Sequence, residues 1–377
     1  MIPLAVPNLN GNEERYLKEC IATNFVSSVG PFVNRFEEMV AQACGCSHSV
    51  ATSSGTTGLH LALTAVGVKP YDLVVLPSFT FIASANAIAH CGATPWLFDI
   101  NSESWTLNTD RLAENLKKFT HSSHGNLIHS KTGRRVAAIL PVYTLGMPAD
   151  MDSICAIAKE FELPVIADAA ASMGARYRGR NIGGLADVSV CSFNGNKTVT
   201  CGGGGALISE DNKLLEKARH LSTTAQKGAA YEHNEVGFNY RMTNLQAALG
   251  CAQMEQLDKF VSCKRKIASR YNNELASLPN CSPFPSINWA ESACWFSGIV
   301  LNNDYDLTVI HKDLRKRGID SRPFWKPIHL QKPYKNSPKT ETPVTNSIWK
   351  RVLILPCSTM LNVHEQSLTI EAVKDIL

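Results

Sequence analysis

The chain has 377 residues, of which 44% are hydrophobic and 19% are charged, and its formal net charge is +4. This is the composition of a globular protein, and so small a positive charge argues against a nucleic-acid-binding protein, which needs a clustered basic face. At about 150 residues per domain, the length predicts two domains, or one large domain with an appendage.

The amino-terminal residues do not resemble a targeting or membrane segment. Residues 1–16 have no basic start and contain Pro3, Pro7 and Gly11, unlike a signal peptide. No stretch of the sequence approaches the ~20 apolar residues of a membrane-spanning helix. The twelve cysteines are scattered and form no CxxC pair, which argues against a disulfide-stapled secreted fold and against a zinc ribbon. We therefore expect a cytoplasmic protein without a metal site.

Alternating patterns dominate the first two-thirds of the chain. Two helices are predicted near Glu13–Ala22 and Asn34–Ala43, and from residue 49 to about 208 short apolar runs alternate with helical patterns. The strand-like runs begin at Ser49, Leu73, Thr94, Val136, Pro164, Val188 and Gly205. This alternation predicts an α/β fold with a mostly parallel central sheet covered by helices. Ligands of such sheets bind beyond the carboxyl ends of the strands.

The pattern changes at Met242. Apolar residues recur at helical spacing up to Pro279, which predicts one long connecting helix over 242–279. Residues 280–377 mix strand-like and helix-like runs and predict a smaller α+β domain. The predicted organisation is therefore a unit over 1–241, with amino-terminal helices and a large α/β domain, then the connecting helix, then the small domain.

A lysine stands in an unusual glycine-rich context. Ser192-Phe-Asn-Gly-Asn-Lys197 follows an apolar run and precedes four consecutive glycines, Gly202 to Gly205. Glycines at this density let the backbone approach a ligand and expose amide donors. A nucleotide P-loop fits poorly, since the lysine precedes the glycines and no GxxxxGK[ST] occurs. On these residues alone, a flexible hairpin with a solvated lysine is an equal alternative.

An aspartate ends one of the predicted buried strands. Asp168, in PVIADAAASMG, lies where side chains face the crevice of an α/β sheet. A carboxylate there could hold a ring nitrogen protonated, bind a metal, or cap the following turn. No HExxH motif, carboxylate pair or histidine cluster accompanies it, so a metal is poorly supported.

The loop TSSGTTG, residues 52–58, joins a strand-like run to an apolar helix. Hydroxyls and free amides at a helix amino terminus bind anions, although an ordinary capping loop has the same composition. Gly55, Thr56 and Thr57 of this loop are followed along the chain by Phe81, the aspartate and the lysine. Pyridoxal phosphate (PLP) needs that set: a phosphate site, a stacking aromatic, a carboxylate for its ring nitrogen and an amine for its aldehyde.

Seven segments in this order resemble the DegT/StrS-type sugar-nucleotide aminotransferases, a branch of the fold-type I PLP enzymes, over essentially the whole chain. They are VGPFVNRFEE, TSSGTTGLHLAL, LPSFTFIASANAI, VIADAAASMGA, SFNGNKTVTCGGGGAL, GFNYRMTNLQAALG and SRPFWKPIHLQ. SFNGNK and KTGRRVAAILPV most resemble the subgroup that aminates C4 of UDP-4-keto-6-deoxy-N-acetylglucosamine-type sugars. The resemblance implies a homodimer that takes a sugar nucleotide and L-glutamate, passes through pyridoxamine phosphate, and serves bacterial surface glycans such as lipopolysaccharide O-antigen.

Position by position, the resemblance assigns roles to the cofactor site. Lys197 is the Schiff-base lysine, Asp168 the partner of the ring nitrogen, and Phe81 the stacking aromatic. Thr56, Thr57 and Ser192 bind the phosphate together with Gly55 of the same loop. Asn239 reaches the phosphate of the neighbouring subunit's cofactor, so the active sites are shared across the dimer.

The resemblance also predicts the substrate pocket. Trp325, His329 and Tyr334 lie in the segment that lines the sugar-nucleotide site. Arg241 is a candidate for the donor carboxylate, because a guanidinium binds carboxylates through two parallel hydrogen bonds. The alternative is that this arginine pairs only with structural carboxylates.

Two positions depart from the family pattern. Relatives usually carry Gln, Glu or His where this chain has Ala171, near the cofactor's 3′ oxygen, and often His where it has Tyr143. Asn194 or a water molecule would then satisfy that oxygen. Lys197 and Asp168 are unaffected, so PLP chemistry is expected to persist.

Several other functions share parts of this pattern. The same fold could aminate C3, or use a GDP- or dTDP-linked sugar, or serve as a non-catalytic sensor of PLP or a sugar nucleotide. A PLP-dependent sugar dehydratase would carry histidine in place of Lys197. An NAD-dependent enzyme would need GxGxxG after the first strand, and SSGTTG is not that motif.

Overall fold

Helices and short strands alternate along most of the chain. The computed structural model describes residues 1–228, 230–302 and 305–377. In these ranges the α-helices are α1 Glu13–Ala22, α2 Pro31–Cys44, α3 Gly55–Ala65, α4 Ile82–His90, α5 Thr109–Phe119, α6 Met151–Glu160, α7 Asn212–Ser222, α8 Asn244–Met254, α9 Leu257–Leu275, α10 Leu307–Lys316, α11 Pro343–Ile348 and α12 Val363–Ile376.

The strands are β1 His48–Thr52, β2 Leu73–Pro77, β3 Thr94–Phe98, β4 Thr120–Ser123, β5 Asn126–His129, β6 Arg134–Ile139, β7 Ile166–Asp168, β8 Arg176–Tyr177, β9 Arg180–Asn181, β10 Val188–Ser192, β11 Gly205–Ser209, β12 Gln226–Lys227, β13 Glu232–His233, β14 Cys281–Pro283, β15 Ala290–Glu291, β16 Ser297–Leu301, β17 Arg322–Pro323 and β18 Val352–Leu355. Single 3₁₀ turns are present at Thr144–Gly146, Ile328–Leu330 and Lys332–Tyr334.

The central sheet has the strand order β3-β2-β6-β7-β10-β11-β1. β2 pairs in parallel with β3 and β6, and β7 pairs in parallel with β10. Between β6 and β7, two isolated parallel bridges, Ile139 with Val165 and Val142 with Asp168, join the two halves of the sheet. Among these seven strands, β11 runs antiparallel to β1 and β10. β5 also pairs antiparallel with β6 and forms a hairpin with β4 beside it. The predicted α/β fold with a mostly parallel central sheet is confirmed.

Residue alternation along the strands builds an apolar layer on each face of this sheet. In β2, Leu73 and Val75 belong to one buried cluster, whereas Val74 and Leu76 belong to another on the opposite face. Successive side chains of a strand point to opposite faces, so a strand covered on both sides must be apolar throughout. The LVVLP run of β2, buried at every position, shows this pattern.

The connection between the two regions is broken where the sequence predicts one helix over 242–279. The structure has α8 and α9, separated by Glu255 and Gln256. α8 is buried along nearly its whole length against α1 and α2, whereas α9 packs on β14 and β16 of the carboxyl-terminal region. Glu255 accepts hydrogen bonds from Tyr16 at 2.6 Å and from Arg35 at 2.7 Å, which hold the break beside α1 and α2.

The carboxyl-terminal region forms an antiparallel sheet in the order β14-β16-β18-β17, with α10 and α12 completing its apolar cluster. Its segment 327–341 returns to the central sheet, where the Ile328 amide donates to the Ser78 carbonyl at 2.8 Å and the Thr340 amide donates to that of Leu97 at 2.9 Å. This return places β17 and the residues that follow it over the carboxyl edge of the central sheet. In the described residues, no helix combines the length and apolarity needed to cross a membrane.

Candidate active site

A cavity of about 380 Å³ opens at the carboxyl ends of β7 and β10. Parallel strands bring their carboxyl ends to one edge, which explains why distant parts of the sequence meet here. The lining residues on which the argument depends are Gly55, Thr56, Phe81, Asp168, Ser192, Asn194, Lys197, Trp295, Arg322 and Trp325. Residues of the central sheet and residues of the carboxyl-terminal region therefore both line the cavity.

Asp168 is a buried carboxylate that faces this cavity. Only 6% of the residue is exposed. Ser84 of α4 donates a hydrogen bond to one carboxylate oxygen at 2.6 Å, and the Ala170 amide donates to the other at 3.1 Å. Burial raises the pKa of Asp168, while these two hydrogen bonds and the charge of Lys197 oppose that rise. A carboxylate held in this way suits a cationic partner such as a protonated ring nitrogen.

Lys197 extends into the same cavity from the loop that follows β10. Its backbone amide donates to the Asn194 carbonyl at 2.9 Å, and its amine lies 3.6 Å from the centre of the Trp295 ring. Burial lowers the pKa of Lys197 to about 8, although the negative charge of Asp168 raises it. At pH 7 about a tenth of such amines are neutral, enough for the amine to attack a carbonyl carbon.

The amino terminus of α3 forms an anion cradle at the other end of the cavity. Ser54 caps the helix, and the Thr57 side chain completes the capping box through a bond from the Ser54 amide at 3.0 Å. Among the described residues, the amides of Gly55 and Thr56 have no acceptor. These free donors, together with the helix dipole, favour a phosphate.

Glycine is required where this cradle touches the neighbouring strands. A β-carbon at Gly55 would stand 2.8 Å from the Ser192 β-carbon, and one at Gly205 would stand 2.6 Å from the Ser54 carbonyl oxygen. The last glycine of the four-glycine run therefore lets β11 approach the helix amino terminus. The cradle thus fits the phosphate of PLP. The loop also caps α3, which was the alternative role considered for it. Thr57 is occupied by the cap and is not among the cavity-lining residues.

Phe81 and Trp325 supply aromatic surface at the mouth of the cavity. Phe81 precedes α4 and is 53% exposed, so its ring is available for a ligand. The two ring centres lie 5.7 Å apart. Both predicted aromatic residues therefore line the cavity.

His329 and Tyr334 lie outside the cavity, which differs from the prediction that they line the sugar-nucleotide pocket. The Nδ1 atom of His329 pairs with Ser78 Oγ at 2.6 Å, and its Nε2 atom pairs with Asn346 at 2.9 Å. Tyr334 donates to Asn86 at 2.5 Å. Both residues are buried, and burial lowers the pKa of His329. Their segment folds back on the central sheet, so these side chains fasten it rather than face the cavity of this chain.

Arg241 and Asn239 also lie away from the cavity of their own chain. Arg241 bridges the backbone of Thr52, and among the described residues its Nε atom is buried without a hydrogen-bond partner. Asn239 is exposed and bridges Thr223. The arginine that does line the cavity is Arg322 of β17.

The two positions that depart from the family pattern lie near the cofactor cavity. Ala171 and Tyr143 both line it, but Tyr143 is only 1% exposed and its hydroxyl finds no partner among the described residues. Burial raises the pKa of Tyr143. Asn194, the residue expected to compensate for Ala171, lines the cavity and donates to Asn196 at 3.1 Å.

Three residues at the site are not identified by the sequence: Ser84, Trp295 and Arg322. Ser84 and Trp295 read as ordinary members of a helix and of the strand-like run CWFSGIVL, so nothing local marks them. Arg322 lies in the SRPFWKPIHLQ segment, where a search for a cavity-facing cation could have found it.

Comparison with known proteins places the whole chain in one group. The model of the DegT/DnrJ/EryC1/StrS aminotransferase family matches residues 7–374. GDP-perosamine synthase of Caulobacter vibrioides is 37% identical over 385 residues, which cover 100% of this chain and 98% of that protein. GDP-perosamine synthase of Vibrio cholerae is 36% identical over 363 residues, which cover 94% of each chain.

A solved structure also has a similar fold over nearly the whole chain. S. venezuelae DesV in complex with a ketimine intermediate has a TM-score of 0.86 and 29% identity, and the match covers 97% of this chain and 94% of DesV.

The names of the two synthases do not support the UDP-N-acetyl subgroup predicted from two segments. KTGRRVAAILPV forms β6 and the turn before it, where Arg134 and Arg135 bind Tyr71 and Asp72. Neither arginine lines the cavity, which this segment reaches only through the apolar Val142, so the two arginines do not support a nucleotide assignment.

Proposed function

Because the chain belongs to the DegT/DnrJ/EryC1/StrS aminotransferase family, we propose that it transfers an amino group from L-glutamate to C4 of a GDP-linked 4-keto-6-deoxy sugar. Enzymes of this family use PLP, and this chain is a PLP-dependent sugar aminotransferase. The donor, the nucleotide and the position aminated are the proposed parts. The observation that carries the proposal is that Lys197 and Asp168 face one cavity beside an anion cradle.

PLP, when bound, supplies an electron sink for the electron pair left on the amino acid's α-carbon when its proton departs. In our proposal, Asp168 holds the ring nitrogen protonated. Burial raises the pKa of Asp168, and the hydrogen bonds from Ser84 and Ala170 oppose that rise by favouring the ionised carboxylate. This fixed charge lies where positive charge on the ring must be stabilised, so no solvent has to reorganise.

Lys197 would hold the cofactor through its aldehyde, and its free amine would accept the proton of the donor's α-carbon as a general base. An amine whose pKa is lowered to about 8 can both accept and return a proton near neutral pH. In the second half-reaction, which aminates the sugar, the proton transfers through the Lys197 amine would run in the reverse order. Phe81, which lines the mouth of the cavity, would pack against the cofactor ring.

The phosphate is assigned to Gly55, Thr56 and Ser192, with Asn239 of a second subunit added in the shared site of a homodimer. The exposure of Asn239 supports that assignment, because a residue that reaches another chain has to be accessible. Arg322, exposed at the rim of the cavity, is assigned to the anionic groups of the substrates in place of Arg241. The GDP sugar is supported by the names of the two synthases, and the product is assigned to bacterial surface polysaccharide.

The test is a substrate panel with the purified full-length enzyme. Addition of L-glutamate should bleach the absorbance of the lysine-bound cofactor, and a GDP-linked 4-keto-6-deoxy sugar should restore it with release of an amino sugar. UDP- and dTDP-linked 4-keto-6-deoxy sugars are the matched controls. Turnover with only a UDP or dTDP sugar would contradict the nucleotide assignment, and a spectrum indifferent to glutamate would contradict the donor.

A further inference from the structure

One tryptophan contacts both the backbone and the amine of the reactive lysine. The indole Nε1 of Trp295 donates to the carbonyl of Asn196 at 2.7 Å, one residue before Lys197. The face of the same ring lies 3.6 Å from the Lys197 amine. The loop and the end of the side chain are therefore both held by a single residue from the small-domain side of the cavity.

Trp295 is itself fixed from two directions. Its amide donates to the Leu145 carbonyl at 3.2 Å, and its carbonyl accepts a hydrogen bond from the Lys264 amine at 3.0 Å. The Trp295 ring stacks on Phe296 with 3.9 Å between ring centres. The residue is 4% exposed, so its ring has little freedom to move.

Lys264 is an unusual anchor for this tryptophan. It belongs to α9 and is 3% exposed. Besides Trp295, its amine donates to the Cys357 carbonyl at 2.6 Å, and its partners in the described residues are two backbone carbonyls and the Cys357 sulfur rather than a carboxylate. Burying a lysine against backbone carbonyls is costly, which is consistent with a requirement for a fixed position.

We propose that Trp295 is a positioning residue for Lys197 and that Lys264 sets the place of Trp295. This inference rests on the proposed role of Lys197 as the proton-transferring amine. A free lysine side chain has large rotamer freedom. The Lys197 amine must nevertheless stay beside the substrate α-carbon once it is no longer bonded to the cofactor. The aromatic face attracts the protonated amine, while the titratable groups that act on it from the sheet are Asp168 of β7 and Cys191 of β10.

If Trp295 positions Lys197, its loss should change the rate of proton transfer without changing glutamate affinity. Loss of the ring should slow the proton transfer, because fewer Lys197 conformers lie within reach of the α-carbon. Glutamate binding should change little, since the amine does not hold the donor. A merely structural role of Trp295 would affect stability or both quantities together.

The experiment compares Trp295→Phe, which keeps an aromatic face without the Nε1 donor, with Trp295→Leu, which keeps neither. Trp289→Leu is the matched control, because Trp289 packs on Tyr177 and does not line the cavity. Single-turnover rates with L-glutamate and its α-deuterated form are measured in the loaded full-length enzyme. Trp295→Leu should be slower by about tenfold with a larger isotope effect and glutamate affinity within about twofold; Trp295→Phe should be intermediate.

A second readout does not depend on turnover. Acetic anhydride labelling of Lys197 in the cofactor-free full-length chain, resolved by mass spectrometry above the pKa of the amine, measures how tightly the ring covers it. Labelling should be several-fold faster in Trp295→Leu and in Lys264→Met, near wild type in Trp295→Phe, and unchanged in Trp289→Leu.

The inference would be overturned if Lys197 of Trp295→Leu were labelled at the wild-type rate, or if this variant lost only glutamate affinity and kept the wild-type single-turnover rate. A wild-type enzyme that labels as expected but shows no response to glutamate would instead overturn the proposed function. If Lys264→Met does not fold, judged by circular dichroism, the two Trp295 variants still decide the matter.

Discussion

Burial and charge act in opposite directions on the two ionisable groups of the cavity. Burial lowers the pKa of Lys197 and raises that of Asp168, while each group's charge opposes the shift of the other. The charge of each group therefore shifts the pKa of the other. A change at the aspartate should be visible in the titration of the lysine.

The reaction of the cofactor-free chain with PLP should consequently depend on pH through Lys197. Because only the neutral amine attacks an aldehyde, the rate of cofactor attachment should rise with pH and level off above about 8. In Asp168→Asn the charge that raises the lysine pKa is gone, so the midpoint should move to lower pH. Stopped-flow absorbance across a pH series measures both midpoints; a midpoint that moves upward in the variant would contradict the coupling.

Asp168→Asn should also separate cofactor attachment from catalysis. The amide cannot hold the ring nitrogen protonated as a carboxylate does, so turnover should fall by on the order of a hundredfold or more, while Lys197 still binds PLP. The measurement is kcat with glutamate at saturating PLP. Asp168→Glu retains the charge and is the control. Undiminished kcat in Asp168→Asn would rule out the assigned role.

At the scale of elements, the cradle depends on how closely α3 approaches β10 and β11. The Gly55→Ala methyl would stand 2.8 Å from the Ser192 β-carbon and would push the helix amino terminus away from the strand. PLP affinity should therefore fall by at least about tenfold, because the phosphate no longer reaches the helix amides, while the fold is retained. Fluorescence titration with PLP measures the affinity, and a thermal melt reports the fold. Wild-type affinity in a folded variant would place the phosphate elsewhere.

The elements could be predicted from the sequence to the extent that the information is local. β2 and β11 were predictable because their apolar runs are bounded by Pro77 and by Gly205 and fit a sheet covered on both faces. The break between α8 and α9 was not, because it arises from tertiary bonds between Glu255 and α1 and α2. No proline or glycine marks Glu255 or Gln256.

The same distinction applies to the candidate site. Asp168 ends β7, and Lys197 lies in the short loop after β10, the parallel neighbour of β7. The order of strands in a parallel sheet therefore brings the two residues to the same edge. His329 and Tyr334 lie in a segment whose direction is set by its return to Ser78 and Leu97, and sequence spacing cannot reveal which side faces the cavity. Trp295 contacts the lysine although it lies about a hundred residues further along the chain, so no local sequence pattern could predict this contact.

At the scale of the whole molecule, the proposed sharing of active sites predicts complementation. Mixed dimers of Lys197→Ala and Asn239→Ala subunits contain one site with both residues intact and one with neither. Each mixed dimer should therefore recover about half the activity of a wild-type dimer at limiting PLP, although each variant alone is impaired. Activity after co-refolding of the two variants is the measurement. No gain over the separate variants would show that Asn239 acts within its own chain or not at all.

The proposed function depends most directly on which lysine carries the cofactor. Borohydride reduction of the PLP-loaded full-length enzyme fixes the cofactor on its amine, and peptide mapping by mass spectrometry then identifies the residue. If Lys197 holds PLP and L-glutamate is the donor, reduction should give a single modified peptide, labelled at Lys197. No label should form when L-glutamate is added before reduction. Attachment to any other lysine, or a label on Lys197 that glutamate leaves unchanged, would contradict the proposed function.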